Sequence, residues 1–180
     1  MSEETKTETE RRRVVEWEDP TPHVQRGMTM RPLDYLSEMV HGEIPKAPIA
    51  ELLNMWGVEI EEGRALFAAQ PGEEHYNPIG VVHGGLVATL IDSTLACAIH
   101  STLPPGGYFS TLEIKVNYVR TLRAGSGPIK CEAKAVHVGR TIATGEAQVH
   151  DERGKLVAHG TCTCMLFRPP EQSADGAAAG

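Results

Sequence analysis

Asp92 is the only charged side chain between Gly80 and Leu112. It sits in the run from Leu86 to Ile99, where Leu86, Val87, Leu90, Ile91, Leu95 and Ile99 recur at helical spacing over a broad apolar arc. A carboxylate in such surroundings must find a partner or do chemistry, because an unpaired charge away from water is costly. Immediately before the run comes Asn77-Pro78-Ile79-Gly80-Val81-Val82-His83-Gly84-Gly85. A helix that opens at two glycines presents bare backbone N–H groups with the positive end of the helix dipole behind them. Such a start can hold negative charge that develops on an oxygen. A carboxylate and an oxyanion site are two parts of a hydrolase. The same residues also admit a structural reading, with the glycines permitting close helix–sheet packing and Asp92 a satisfied polar group.

The spacing adds a constraint. Gly84 and Asp92 are eight residues apart. On one helix that is about 12 Å along the axis, too far for both to act on one carbonyl. If both are catalytic, one of them comes from a neighbouring copy of the chain, which implies an oligomer with shared sites.

The elements that must position these groups can be read in order. Leu33 to Val40 is a short helix, and Pro48 to Met55 a second helical turn with its proline near the start. Val58-Glu59-Ile60 and Arg64 to Ala69 form a hairpin around Glu62-Gly63, and a loop from Pro71 to Gly80 leads to the central helix. Pro104-Pro105-Gly106-Gly107 ends that helix. Four strands follow: Thr111 to Arg120, Ile129 to Val138, Thr141 to Val149, and Lys155 to Phe167 after the turn Asp151-Glu152-Arg153-Gly154. In the first of them Leu112, Ile114, Val116 and Tyr118 share one face, and strict alternation turns Thr111 to the other. Successive strands joined by tight turns are expected side by side in an antiparallel sheet. Curled around the apolar helix, that sheet would leave an open edge and an outer face for a second subunit.

The 180 residues fit one domain. Residues 1–30 and 169–180 are expected to be disordered tails, and 31–168 the folded domain, with short N-terminal helices within 33–55. The net charge of −7, the scarcity of aromatics and the lack of a basic stripe argue against a nucleic-acid partner. Arg11-Arg12-Arg13 is expected to be solvated. The polar start Met1 to Glu10 has no apolar core of a secretory signal, and Asp92 interrupts the longest apolar run, so a cytoplasmic protein without membrane contact is expected. Cys97, Cys131, Cys162 and Cys164 show no C-x-x-C spacing and read as reduced, buried thiols. Neither they nor the scattered histidines suggest a metal site. There is no G-x-S-x-G elbow for a serine nucleophile.

This order of elements and these residues resemble the hotdog-fold thioesterases, specifically the phenylacetyl-CoA-thioesterase-like (PaaI-like) acyl-CoA thioesterase branch. The resemblance runs from about Leu33 to Phe167. Its most specific part is N-P-x-G-x-x-H-G-G from Asn77 to Gly85, followed by Asp92. Thr111 to Tyr118, Val138-Gly139-Arg140, and Gly154 to Ala158 look like the family's later strand, turn and hairpin.

The resemblance implies an α+β hotdog fold, a long central helix wrapped by a curved antiparallel β-sheet. It also implies hydrolysis of an acyl-CoA thioester. Asp92 would then activate or deliver the nucleophile, the Gly84 N–H would polarise the carbonyl, and Asn77 would help hold the carbonyl or the water. Thr111, with Ser110 as its rival, would orient the water. His83 would fix the loop beside Gly85 at the substrate. Sites would lie at subunit interfaces of a homodimer or homotetramer. No cofactor is implied beyond coenzyme A as part of the substrate. An acidic protein that binds a polyphosphate needs local cations; Arg120, Arg123, Lys130 and Arg140 stand near turns, and Arg140, directly after Gly139, is the first choice. The acyl group is expected to be a small aromatic or medium-chain one, with Tyr108 and Phe109 at its border. The alternatives are a hotdog protein that binds acyl-CoA without hydrolysing it, and another hotdog reaction such as enoyl-CoA hydration.

Overall fold

A computed structural model describes residues 11–169 of the chain. Its axis is helix α4, Gly84–His100; the short helices α1 (Thr21–Gly27), α2 (Pro32–His41) and α3 (Pro48–Leu52) precede it. Leu86, Val87, Leu90, Ile91, Leu95, Ala98 and Ile99 of α4 are buried. Each of the larger ones contributes roughly 1.5–3 kcal/mol by leaving water. The sheet comes very close to this face at two glycines. A Cβ at Gly145 would stand 2.8 Å from Leu95 Cδ2, and one at Gly160 would stand 3.2 Å from Ile91 Cγ2. Side chains at those positions would lift the helix from the sheet.

The sheet has six antiparallel strands: β1 (Met55–Glu61), β2 (Arg64–Ala69), β3 (Tyr108–Tyr118), β4 (Ile129–Val138), β5 (Ile142–His150) and β6 (Leu156–Phe167). Their spatial order is β1-β2-β4-β5-β6-β3. This is the α+β arrangement of a central helix wrapped by a curved antiparallel sheet that the resemblance implies. The expected adjacency of the third and fourth strands is corrected. Residues 119–128 form a long crossing link, so β3 pairs with β6 at the sheet edge and β4 pairs with β2 and β5. The link is fastened under the loop before α4, where the Val82 N–H donates to the Leu122 carbonyl at 3.0 Å. Tight turns do join β1 to β2, β4 to β5 and β5 to β6.

The strict alternation read into Thr111–Tyr118 is also corrected. Thr111 pairs with Cys164, but Glu113 pairs with Thr163, so Leu112 is the extra residue of a β-bulge. Leu112 is 54% exposed, and Thr111 falls on the inward face with Ile114 and Val116. Tyr118, also expected on the apolar face, is 53% exposed.

At the N-terminus the expected tail is shorter than residues 1–30. Helix α1 forms behind Pro20, and the Asp19 carboxylate accepts from the Thr21 N–H at 2.9 Å. The arginines of the preceding arm are exposed, yet two of them are tied to the domain: Arg11 pairs with Glu73 at 2.8 Å, and Arg13 donates to the carbonyls of Glu51 and Leu52. Met55, expected at the end of a helical turn, opens β1 instead. Residues 1–10 and 170–180, where the outer parts of both expected tails fall, lie outside the described residues. The described cysteines are free, with Cys131, Cys162 and Cys164 buried. Among the described residues no helix is long and apolar enough to cross a membrane.

Candidate active site

Asp92 lies at mid-helix on the half-exposed side of α4, away from the buried stripe. The Thr111 hydroxyl donates to Asp92 Oδ1 at 3.1 Å. The bulge at Leu112 makes this contact possible, because it turns Thr111 toward the helix. Behind Thr111 stands the buried Cys164, its cross-strand partner, with the sulfur 3.9 Å from the Thr111 hydroxyl. Thr111 is therefore the partner of Asp92, while Ser110, the rival candidate, is exposed on the other face.

The start of α4 is organised by backbone. His83 is the N-cap, and its Nδ1 accepts from the Gly85 N–H at 2.8 Å. The Leu86 N–H donates to the His83 carbonyl at 3.1 Å. Of the first three helical N–H groups, only that of Gly84 is left without a partner among the described residues. Gly85 was expected to face the substrate, yet its N–H is occupied by His83. The His83 ring thereby caps the helix start. Both positions are tight: a Cβ at Gly84 would stand 3.1 Å from the Tyr118 ring, and one at Gly85 would stand 2.8 Å from His83 Nδ1, so a neighbouring side chain would have to shift.

Asn77 shapes the approach to this start. Its Oδ1 accepts from the N–H groups of Ile79 and Val81 at 3.1 and 3.3 Å, which folds the turn around Pro78. Gly80 completes that turn with φ +76, a left-handed conformation that favours glycine. Three further residues hold the loop: His75 and Tyr118, to which sequence reasoning assigned no role here, and Arg123, expected at the phosphates instead. The His75 carbonyl accepts from the His83 N–H at 2.8 Å, the Tyr118 hydroxyl donates to the Gly84 carbonyl at 3.1 Å, and Arg123 donates to the Gly80 carbonyl at 3.2 Å. The His75 ring is buried, which holds it below the usual imidazole value and therefore neutral. No motif marks these three; only their placement under the loop reveals them.

The arginines divide between the two ends of α4. Arg120 lines a cleft of about 370 Å³ together with Gly84, Val81, Tyr118 and Leu122. Arg140 is exposed on the β4–β5 turn after Gly139. Ala143 of β5, just after this turn, stands in one row with Cys164 and Thr111. Three residues of strand, about 10 Å, separate Arg140 from that row. Gly139 donates to the Ile142 carbonyl at 2.8 Å and accepts from Arg168, so its backbone is committed to the turn. Within one chain, then, Asp92 and Thr111 meet at mid-helix, Gly84 and Arg120 share the cleft at the helix start, and Arg140 stands apart on the β4–β5 turn. Among the described residues no group of three or more His, Cys, Asp or Glu side chains could hold a metal ion.

The matching family model is that of the thioesterase superfamily, over residues 79–158. Acyl-coenzyme A thioesterase 13 from Homo sapiens is 32% identical over 112 residues, covering 61% of this chain and 77% of that protein. The chain belongs to the thioesterase superfamily. Within this superfamily it is a PaaI-like hotdog thioesterase, a thioester hydrolase. The phenylacetic acid degradation protein PaaI from Thermus thermophilus, solved as a point mutant, is 31% identical, with a TM-score of 0.60, covering 68% of this chain and all of that one (100%). The 1,4-dihydroxy-2-naphthoyl-CoA hydrolase of Listeria monocytogenes is 26% identical over 118 residues, covering 66% of this chain and 94% of that protein.

Proposed function

We propose that this thioesterase hydrolyses the thioester of a small aromatic or medium-chain acyl-CoA to the free acid and coenzyme A. Two copies of the chain would form each site. The observation that carries this reading is the division of groups along α4: a carboxylate held by a hydroxyl at mid-helix, and an unpartnered N–H at the glycine start.

The chemistry needs little more. A thiolate departs without a strong acid, so a base or nucleophile and an oxyanion donor are sufficient. In one route Asp92 takes a proton from water, and the hydroxide adds to the carbonyl carbon. In the other the carboxylate itself adds, loss of the thiolate leaves an anhydride between Asp92 and the acyl group, and water then cleaves that anhydride. In both, charge on the carbonyl oxygen is held by the Gly84 N–H at the helix start. The C–S bond then breaks, and the thiolate of coenzyme A leaves and is protonated by solvent. Single turnover in heavy-oxygen water separates the two routes: label appears in the Asp92 carboxylate only if that group is the nucleophile.

A shared site follows from the roughly 12 Å between the two groups on one helix. The fold supports it. β3 is an edge strand with Tyr108, Leu112 and Tyr118 exposed, and a long open edge favours pairing with another strand. A homodimer, or a homotetramer built from two of them, would bring Gly84 of one copy to Asp92 of the other. Arg140 and Arg120 are the candidates for the coenzyme phosphates, and Asn77, with Oδ1 committed to its turn, can offer its amide to the carbonyl or the water.

Thiol release from a panel of acyl-CoAs tests the activity, and the absence of turnover on every member would overturn it. Mixing an Asp92→Asn variant with a Gly84→Ala variant tests the shared site. Up to about a quarter of wild-type activity should return, since half of randomly mixed dimers carry one intact site. No return in dimers shown to exchange subunits would overturn the sharing.

A further inference from the structure

Beside Asp92 the half-exposed face of α4 continues as small residues. Ala96 lies one turn further on, about 6 Å along the same face. Ser93, Ala96 and Cys97 form one wall of a cavity of about 440 Å³, within the size range of small-molecule sites. The facing wall is built by Leu36, Met39 and Val40 of α2 and by Ile49 and Ala50 of α3. No carboxylate lines this space. Its one ammonium, Lys46, is held by Glu51 at 3.0 Å. The remaining polar side chains are the Ser93 hydroxyl, the Trp56 indole and the Cys97 thiol, which burial pushes up to about 12 and so keeps neutral.

We propose that this cavity receives the acyl group, and that the α2–α3 wall gauges its length. The class of substrate it fits is an unhydroxylated acyl group, either a straight medium chain or one ending in a plain phenyl ring. A hydroxyl buried there would find few partners, and an unpaired buried hydroxyl is costly. The proposal rests on the reading of Asp92 as the reacting carboxylate, because that reading decides which end of the thioester enters.

The gauge is built from this chain's own N-terminal part. Helices α2 and α3 precede residues 79–158, which the family model matches. Val40 is pressed onto the backbone of β1, where a Cβ at Gly57 would stand 2.6 Å from its methyl. Helix α3 is fastened from outside. Arg13 donates to the Glu51 carbonyl at 2.8 Å and to the Leu52 carbonyl at 3.2 Å, and pairs with Glu74 at 3.3 Å. A cation on the last carbonyls of a helix is favourable. Met39, unbranched and polarisable, is the adaptable part of the wall.

The test is the ratio of kcat/KM for octanoyl-CoA to that for acetyl-CoA. Met39→Trp and Ala50→Phe both narrow the cavity from the wall remote from Asp92. Each should lower the ratio by about tenfold or more, the scale on which hydrophobic pockets discriminate. Met39→Ala adds no bulk, so it keeps the test open if the larger side chains prevent folding; it should move the preferred chain to a longer one. In the wild type, phenylacetyl-CoA should be favoured over its ring-hydroxylated analogue by about tenfold. An unchanged chain-length ratio in the variants overturns the cavity assignment and leaves the hydrolase standing. Equal turnover of the hydroxylated analogue overturns the substrate class. A wild type that releases no thiol from any acyl-CoA overturns the Asp92 reading and this proposal with it.

Discussion

The middle and the start of α4 are built on opposite principles. At mid-helix the proposed chemistry would rest on a side chain, Asp92, held by another side chain, the Thr111 hydroxyl at 3.1 Å. At the start it would rest on a main-chain N–H at Gly84, while the neighbouring donors are taken up by the His83 ring and by backbone carbonyls. A side-chain site can be deleted by one substitution. A backbone site cannot, because every residue but proline has an N–H; it can only be displaced or crowded. The two regions should therefore fail differently under mutation.

The largest effect is expected at mid-helix. Asp92→Asn keeps the shape and removes the base or nucleophile. Turnover should fall by about 10²–10⁴, as for the loss of a general base, while the circular dichroism spectrum and the oligomer stay as in wild type. Full turnover in this variant would break the comparison at its stronger end. Misfolding would instead assign Asp92 to structure.

Thr111→Val comes next. It keeps the volume and removes the hydroxyl that orders Asp92. Hydrogen bonds to charged groups contribute about 1.5–3 kcal/mol, so kcat should fall by roughly tenfold to a hundredfold, with KM little changed. The contrast with Ser110→Ala sharpens the point. Ser110 is exposed on the opposite face, so its hydroxyl should be dispensable. Equal losses in the two variants would mean that the bulge does not select Thr111.

That selection was the hardest feature to read in the sequence. The motif from Asn77 to Gly85 and the apolar arc from Leu86 to Ile99 are local patterns, and α4 follows them from Gly84 to His100. The hairpin around Glu62-Gly63 and the last hairpin are equally local. The bulge is different. An extra residue in β3 is defined only by the register of β6 across from it, and strict alternation pointed Thr111 the wrong way. The crossing link from β3 to β4 was hidden for the same reason. Strand neighbours depend on which apolar faces close around α4, and residues 119–128 carry no mark of where they lead. The ties of the exposed Arg11 and Arg13 were hidden because their partners, Glu73, Glu51 and Leu52, lie far along the chain. At the site itself Asp92 stood out by its charge, whereas the Tyr118 hydroxyl that holds the Gly84 carbonyl has no sequence signature.

Tyr118 supplies the prediction for the backbone end. Gly84→Ala retains the N–H but puts a methyl 3.1 Å from the Tyr118 ring, so either the ring or the helix start must move. Deleting an oxyanion donor outright costs about 10²–10³ in kcat, and displacing one should cost less, on the order of tenfold. Adding Tyr118→Leu should recover part of that loss by making room for the methyl. Recovery would show that crowding, and not a lost donor, is the fault. A Gly84→Ala variant as active as wild type would mean that the N–H at this position does not meet the carbonyl.

The smallest effect is expected at the coenzyme end, and it bears on how the two regions combine. Arg140 stands on the β4–β5 turn, whereas Arg120 lines the cleft beside Gly84. In a site shared between two copies, Asp92 and Arg140 of one would meet Gly84 and Arg120 of the other. Both guanidinium groups would then face the same substrate from opposite sides. Arg140 is exposed, so solvent screens its attraction to a phosphate. Arg140→Ala should raise KM for acyl-CoA by about fivefold, within the range for an exposed charge pair, and leave kcat nearly unchanged. Higher salt should weaken wild-type binding more than binding to the variant. The acyl-pantetheine thioester, which lacks the nucleotide phosphates, should show no such KM difference. If KM rises equally for both substrates, Arg140 acts on the shape of the turn, where the Gly139 carbonyl also accepts from Arg168. If instead Arg120→Ala alone raises KM, the phosphates lie on the Gly84 side, and the coenzyme is held by the copy that supplies the N–H and not by the one that supplies the carboxylate.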